Sequence, residues 1–104
     1  MYKLDISPKA VQDITNISSY ISVQLHNPTA ANKLIEQIHH SINLITEMPY
    51  MYPLCTLPKP TKYNYRKAVV KNYIIVYSVR EQPEKRVVIS RIVYAKNNYP
   101  NFIN

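Results

Sequence analysis

The side chains best suited to chemistry gather in one stretch, Tyr63 to Tyr99, which reads YNYRKAVVKNYIIVYSVREQPEKRVVISRIVYAKNNY. Arginine and lysine can hold phosphate oxygens, and tyrosine can move a proton. The chain carries a formal charge of +7, and that charge is uneven. Residues 1–58 hold Lys3, Lys9 and Lys33 against Asp5, Asp13, Glu36 and Glu47. Residues 59–104 hold Lys59, Lys62, Lys67, Lys71, Lys85, Lys96, Arg66, Arg80, Arg86 and Arg91 against only Glu81 and Glu84. A basic half beside a near-neutral one points to a polyanionic partner. Nucleic acid comes first, then an acidic protein; a merely solvated basic surface is the plain alternative.

Other chemistries are excluded by what the chain lacks. There is no glycine, so neither a phosphate-cradling glycine loop nor a Gly-x-Ser-x-Gly nucleophile elbow can form. Cys55 stands alone in a proline-rich run, with no second cysteine for a disulfide or a metal site, and fits a buried or surface thiol better than a nucleophile. His39 and His40 are adjacent and point about 100° apart on a helix, so they cannot share a metal. No metal and no cofactor is expected. Without glycine, turns that need positive φ fall to asparagine, and Asn72 and the Asn97–Asn98 pair are placed for it.

These residues need a scaffold, and the sequence supplies one. Tyr2, Leu4 and Ile6 alternate with Lys3 and Asp5, as a half-buried strand does. Ser7-Pro8 is a helix start: serine caps and proline suits the first helical position. Val11, Ile14, Ile17, Ser18, Ile21 and Leu25 follow at helical spacing. Asn27-Pro28 repeats the start signal, and Ala31, Leu34, Ile35, Ile38, Ile42 and Ile45 mark a second apolar stripe that Pro49 ends. Prolines 49, 53, 58 and 60 make the next segment an extended connection. Strands are expected over Tyr65–Val70, Tyr73–Val79 and Arg86–Val93, with turns at Lys71-Asn72 and Glu81–Lys85. The order β-α-α-β-β-β gives one α+β domain of 104 residues, with a helical hairpin on one face of an antiparallel sheet. The other face would then be basic and tyrosine-bearing. No apolar run is long enough to span a membrane and no signal core follows the N-terminus, so a cytoplasmic protein is expected.

This succession resembles a known family. The parts that carry the resemblance are the short strand ending Ser-Pro-Lys-Ala, the hairpin closing at Met48-Pro49, Tyr65-Arg66-Lys67, Asn72-Tyr73-Ile74-Ile75-Val76-Tyr77, and Ile89-Ser90-Arg91-Ile92-Val93-Tyr94. Together they are similar to the RelE/ParE superfamily of bacterial type II toxins, over nearly the whole chain. The resemblance implies one fold with two activities. RelE-like members cleave mRNA in the ribosome; ParE-like members inhibit DNA gyrase by protein contact and are not nucleases. Both are neutralised by a cognate antitoxin.

Metal-free RNA cleavage needs the 2′-hydroxyl activated, the phosphate charge stabilised and the leaving oxygen protonated. On the resemblance, Arg66, Tyr94, Lys96 and Tyr99 are the candidate catalytic residues, and Lys67, Lys71 and Arg91 the candidate nucleic-acid contacts. Ile74 stands where nucleolytic members carry an arginine. Arg66 and Arg91 also have helix carboxylates to pair with, such as Asp13 or Glu36. The leading expectation is a ribosome-dependent mRNA endonuclease, with ribosome and mRNA as partners beside the antitoxin. The alternatives are a gyrase inhibitor and a degenerate member with neither activity. A homodimer is compatible with all three.

Overall fold

The computed structural model describes residues 2–103. Strand β1 (Lys3–Ile6) leads into helix α1 (Pro8–Ser19), which continues as a π-helical turn over Tyr20–Gln24. Helix α2 (Pro28–Glu47) returns alongside it. Strands β2 (Tyr65–Val70), β3 (Tyr73–Arg80) and β4 (Arg86–Tyr94) follow, then a 3₁₀ turn at Tyr99–Phe102.

The helix starts fall where the cap residues put them. Ser7 Oγ accepts from the Ala10 N–H at 3.0 Å, and Asn27 Oδ1 accepts from the Ala30 N–H at 3.1 Å. Each cap satisfies one orphan donor and stabilises its helix by about 1 kcal/mol. Ser7 also donates its hydroxyl proton to the Ser90 carbonyl at 2.7 Å, fixing α1 against β4.

The sheet order is β1-β4-β3-β2. The three later strands form an antiparallel meander, as expected. β1 adds to the free edge of β4 in parallel, Lys3 opposite Arg86 and Ile6 opposite Ile89, which makes the sheet mixed rather than wholly antiparallel. The helical hairpin covers one face. Ala10, Ile17, Leu34, Ile38, Ile42 and Ile45 pack there on Ala68, Val70, Ile75, Tyr77, Val87, Ile89 and Ile92. Burying each large side chain contributes roughly 1.5–3 kcal/mol. Tyr77 is fully buried and donates its hydroxyl proton to the Pro49 carbonyl at 2.6 Å; burial pushes its phenol up to about 12.

Three expectations are corrected. The α1 stripe is rotated, so Ala10 is buried whereas Val11 and Leu25 stay about half exposed. Positive φ falls on His26 (50°) and Lys71 (54°), not on the asparagines. In the two-residue β2–β3 turn the first position must be left-handed, and that position is Lys71. Finally, the far face of the sheet is not an open basic surface. Ile74, Val76 and Val93 form a second apolar cluster there, covered by Cys55, Tyr65, Tyr99, Phe102 and Ile103.

Candidate functional site

The seven residues singled out in the sequence do not form one site. Arg66 has the same strand parity as the buried Ala68 and Val70. Its Nη1 donates to the Tyr52 carbonyl at 2.6 Å and to the Tyr50 carbonyl at 3.4 Å, and its guanidinium carbon lies 5.0 Å from the Tyr50 ring centre. It therefore fastens the proline-rich connection to the sheet. Lys67, one residue on, points to the other face. There its Nζ sits 5.1 Å from the Tyr99 ring centre. Lys67 and Tyr99 are in direct contact, and Lys71, Arg91 and Tyr94 line one groove. The Tyr99 hydroxyl accepts from the Thr56 N–H at 3.1 Å and donates to the Thr56 carbonyl at 3.2 Å. A phenol with donor and acceptor both engaged has no free proton position to offer a substrate.

Arg91 lies beside a β-bulge between Val76 and Tyr77, across which the register skips Ser90. It forms a two-pronged ion pair with Asp13 of α1: Nε to Oδ2 at 2.8 Å and Nη2 to Oδ1 at 2.9 Å. Asp13 Oδ2 also accepts the Ile92 N–H at 2.9 Å. β1 ends at Ile6, so this carboxylate takes over the β4 edge donor that a longer β1 would have satisfied. The pairing holds the Arg91 guanidinium above its ordinary range, and a bidentate arginine so occupied has little left for a phosphate. Tyr94 is exposed at the end of β4, edge-on to Tyr73 at 5.6 Å between ring centres. Lys71 occupies the β2–β3 turn, and Lys96 is exposed in the turn that leaves β4. Cys55 is half-buried, and burial raises its thiol pKa, which disfavours the nucleophilic thiolate.

Two features were not legible in the sequence. One is a polar knot at the other end of the sheet. A single Glu81 oxygen, Oε2, accepts from the hydroxyls of both Tyr2 (2.6 Å) and Tyr50. These bonds lower the Glu81 pKa and raise those of the two phenols. The other is a groove of about 980 Å³ between the hairpin tip and the sheet. Tyr20, Ile21, Leu25, Leu34, Tyr73 and Tyr94 line it, with Lys33 and Lys71 adding charge and Asp13–Arg91 among its polar groups. Ile21 and Leu25, which read as ordinary helix stripe in the sequence, line this groove together with the half-exposed Tyr20. Among the described residues, no group of three or more His, Cys, Asp or Glu side chains could hold a metal ion. No helix among them is long and apolar enough to cross a membrane.

No curated protein matches the chain. Among solved structures, the fold is similar to one described as "Chromosomal ParDE TA system from P. aeruginosa". That match has a TM-score of 0.71 at 19% identity and covers 92% of this chain and 98% of the other, a likeness of fold. A family model described as "ParE toxin of type II toxin-antitoxin system, parDE" matches residues 4–99. With its helical hairpin on a four-stranded sheet and that match across almost its whole length, the chain belongs to the ParE toxin family of type II toxin–antitoxin systems.

Proposed function

We propose that this toxin acts by blocking DNA gyrase through protein contact, and that it does not cut mRNA. The observation that carries the reading is the state of the sheet face opposite the helices. A nuclease needs preorganised charge aimed at the phosphate. Here Ile74, Val76 and Val93 occupy the centre of that face, and Tyr99, Phe102 and Ile103 lie over them. Arg91 is committed to Asp13, and Arg66 to backbone carbonyls on the other side. The family match supports the same branch.

A cognate antitoxin is the expected second partner. The solved ParDE system pairs a toxin of this fold with an antitoxin by its description. The apolar groove with lysines beside it would accept an amphipathic segment carrying acidic residues.

The test is direct. Purified toxin titrated into a gyrase supercoiling assay is expected to abolish supercoiling, and mapping of 5′ ends on translated mRNA is expected to find no new ones. Unchanged supercoiling at excess toxin, or fresh 5′ ends in translated message, would overturn the reading. New ends would return attention to Lys67 and Tyr99, the predicted pair that does meet.

A further inference from the structure

The β3–β4 hairpin end of the sheet has unfilled hydrogen-bonding capacity. Two buried side-chain polar atoms among the described residues have no partner: Ser78 Oγ and Arg80 Nε. They are two positions apart on β3, so they face the same side, separated along the strand by roughly 7 Å. Buried polar groups are nearly always paired, so an orphan on a cationic side chain calls for an explanation.

The register sharpens the point. Arg80 stands directly opposite Arg86. Like charges facing across an antiparallel pair destabilise the sheet. Arg86 is compensated by Asp5 and Glu84. Arg80 makes no ion pair among the described residues. Instead its guanidinium carbon lies 3.8 Å from the Tyr63 ring centre. A guanidinium stacked on a ring presents its N–H groups edge-on, in the plane where a bidentate oxyanion binds. Beside it opens a cleft of about 360 Å³, at the lower end of small-ligand sites, lined by Tyr63, Arg80, Gln82, Pro83, Glu84 and Arg86. Glu84 opposes an anion there. However, its Oε1 is taken by Arg86 and its Oε2 by Lys3 at 2.9 Å, so its charge is largely spent.

We propose that this cleft binds a phosphate group, with Arg80 as the principal contact. A phosphate oxyanion can take two N–H donors from one guanidinium, and it would give Arg80 the counter-charge that Asp5 and Glu84 already give Arg86. The Tyr63 ring forms a wall on which the sugar or base of a nucleotide can rest. The site goes beyond gyrase inhibition and does not rest on it. None of the seven residues read from the sequence as catalytic or nucleic-acid contacts belongs to it.

The test uses the full chain alone. Inorganic phosphate is titrated while the arginine Nε–H signals are followed by NMR, and a short single-stranded DNA oligonucleotide is titrated by fluorescence anisotropy. Saturable binding is expected, with the Arg80 Nε–H signal moving most. Arg80→Gln should weaken binding at least about ten-fold, as loss of a charge-assisted bidentate contact does. Arg80→Lys should recover part of it, and Lys9→Gln, an equal change of charge on α1, should leave it unaltered. If both phosphate and oligonucleotide bind with this dependence, the natural source is a nucleic-acid strand. If inorganic phosphate alone does, the site takes free phosphate. A non-saturable response, or equal weakening by Lys9→Gln and Arg80→Gln, means an adventitious ion only and overturns the proposal. The Arg80 signal of the unmodified protein decides the matter even if a variant fails to fold.

Discussion

Asp13 shows how one residue settles the use of others. Its two oxygens serve three donors: Arg91 Nε, Arg91 Nη2 and the Ile92 N–H. Side-chain exposure is only 21% for Arg91 and 12% for Asp13, so water can do little to replace the pair. Removing one partner of a largely buried pair leaves an uncompensated charge. Asp13→Asn is therefore expected to cost about 3 kcal/mol in urea unfolding, at the low end for buried pairs because some exposure remains. Arg91→Gln should cost less, since the remaining carboxylate still receives the Ile92 N–H. Near-equal costs for the two variants would contradict this account. The sequence offered Arg91 both as a phosphate contact and as the partner of a helix carboxylate. Residue type alone could not choose between them. The choice depends on α1 lying over the β4 edge, which no local pattern encodes.

At the scale of elements, legibility follows the range of the signal. The two helices begin where Ser7-Pro8 and Asn27-Pro28 place them, because caps act within one turn. The β2–β3–β4 meander follows from runs of β-branched and aromatic residues separated by short turns. The partner of β1 was not legible, since a parallel pairing over so long a separation leaves no local mark. Nor was the cover on the far face. From the sequence that face is expected to be a basic, tyrosine-bearing surface, because the apolar run YIIVYSV does not name what lies over its second side. The β2–β3 turn offers a test. Lys71 holds φ at 54°, which costs a side-chain-bearing residue roughly 1–2 kcal/mol. Lys71→Gly is expected to raise stability by about 1 kcal/mol, less than the full strain because glycine also loosens the unfolded chain. Thermal unfolding should show this as a higher midpoint. A lower midpoint would mean that Lys71 has a compensating contact.

For the whole molecule, the second apolar cluster ties the last turn of the described chain to the middle of the sheet. Tyr99, Phe102 and Ile103 cover Ile74, Val76 and Val93, and the Arg91 guanidinium carbon lies 5.0 Å from the Phe102 ring centre. Removal of residues 99–104 should uncover those side chains. The expected loss is roughly 3–5 kcal/mol, with a gain in binding of a hydrophobic dye. A truncated chain of unchanged stability that binds no dye would show that the segment only decorates the surface. The groove lies between the hairpin tip and the sheet and the phosphate cleft at the β3–β4 hairpin, so the molecule has two separate contact surfaces. Such a division suits a protein that meets more than one partner.

The parallel pairing of β1 with β4 also sets a clock on synthesis. Ser7 and Ser90 are bonded across 83 positions of sequence. At roughly 5–20 residues per second, the first strand waits seconds for its partner to be made. Through that interval the two helices have only one another to pack against, because the sheet that should bury their apolar stripes has not yet been translated. The sheet edge, the Asp13–Arg91 pair and the groove beside it can assemble only after β4 emerges. A nascent toxin of this design stays without its working surfaces until almost all of it has been made.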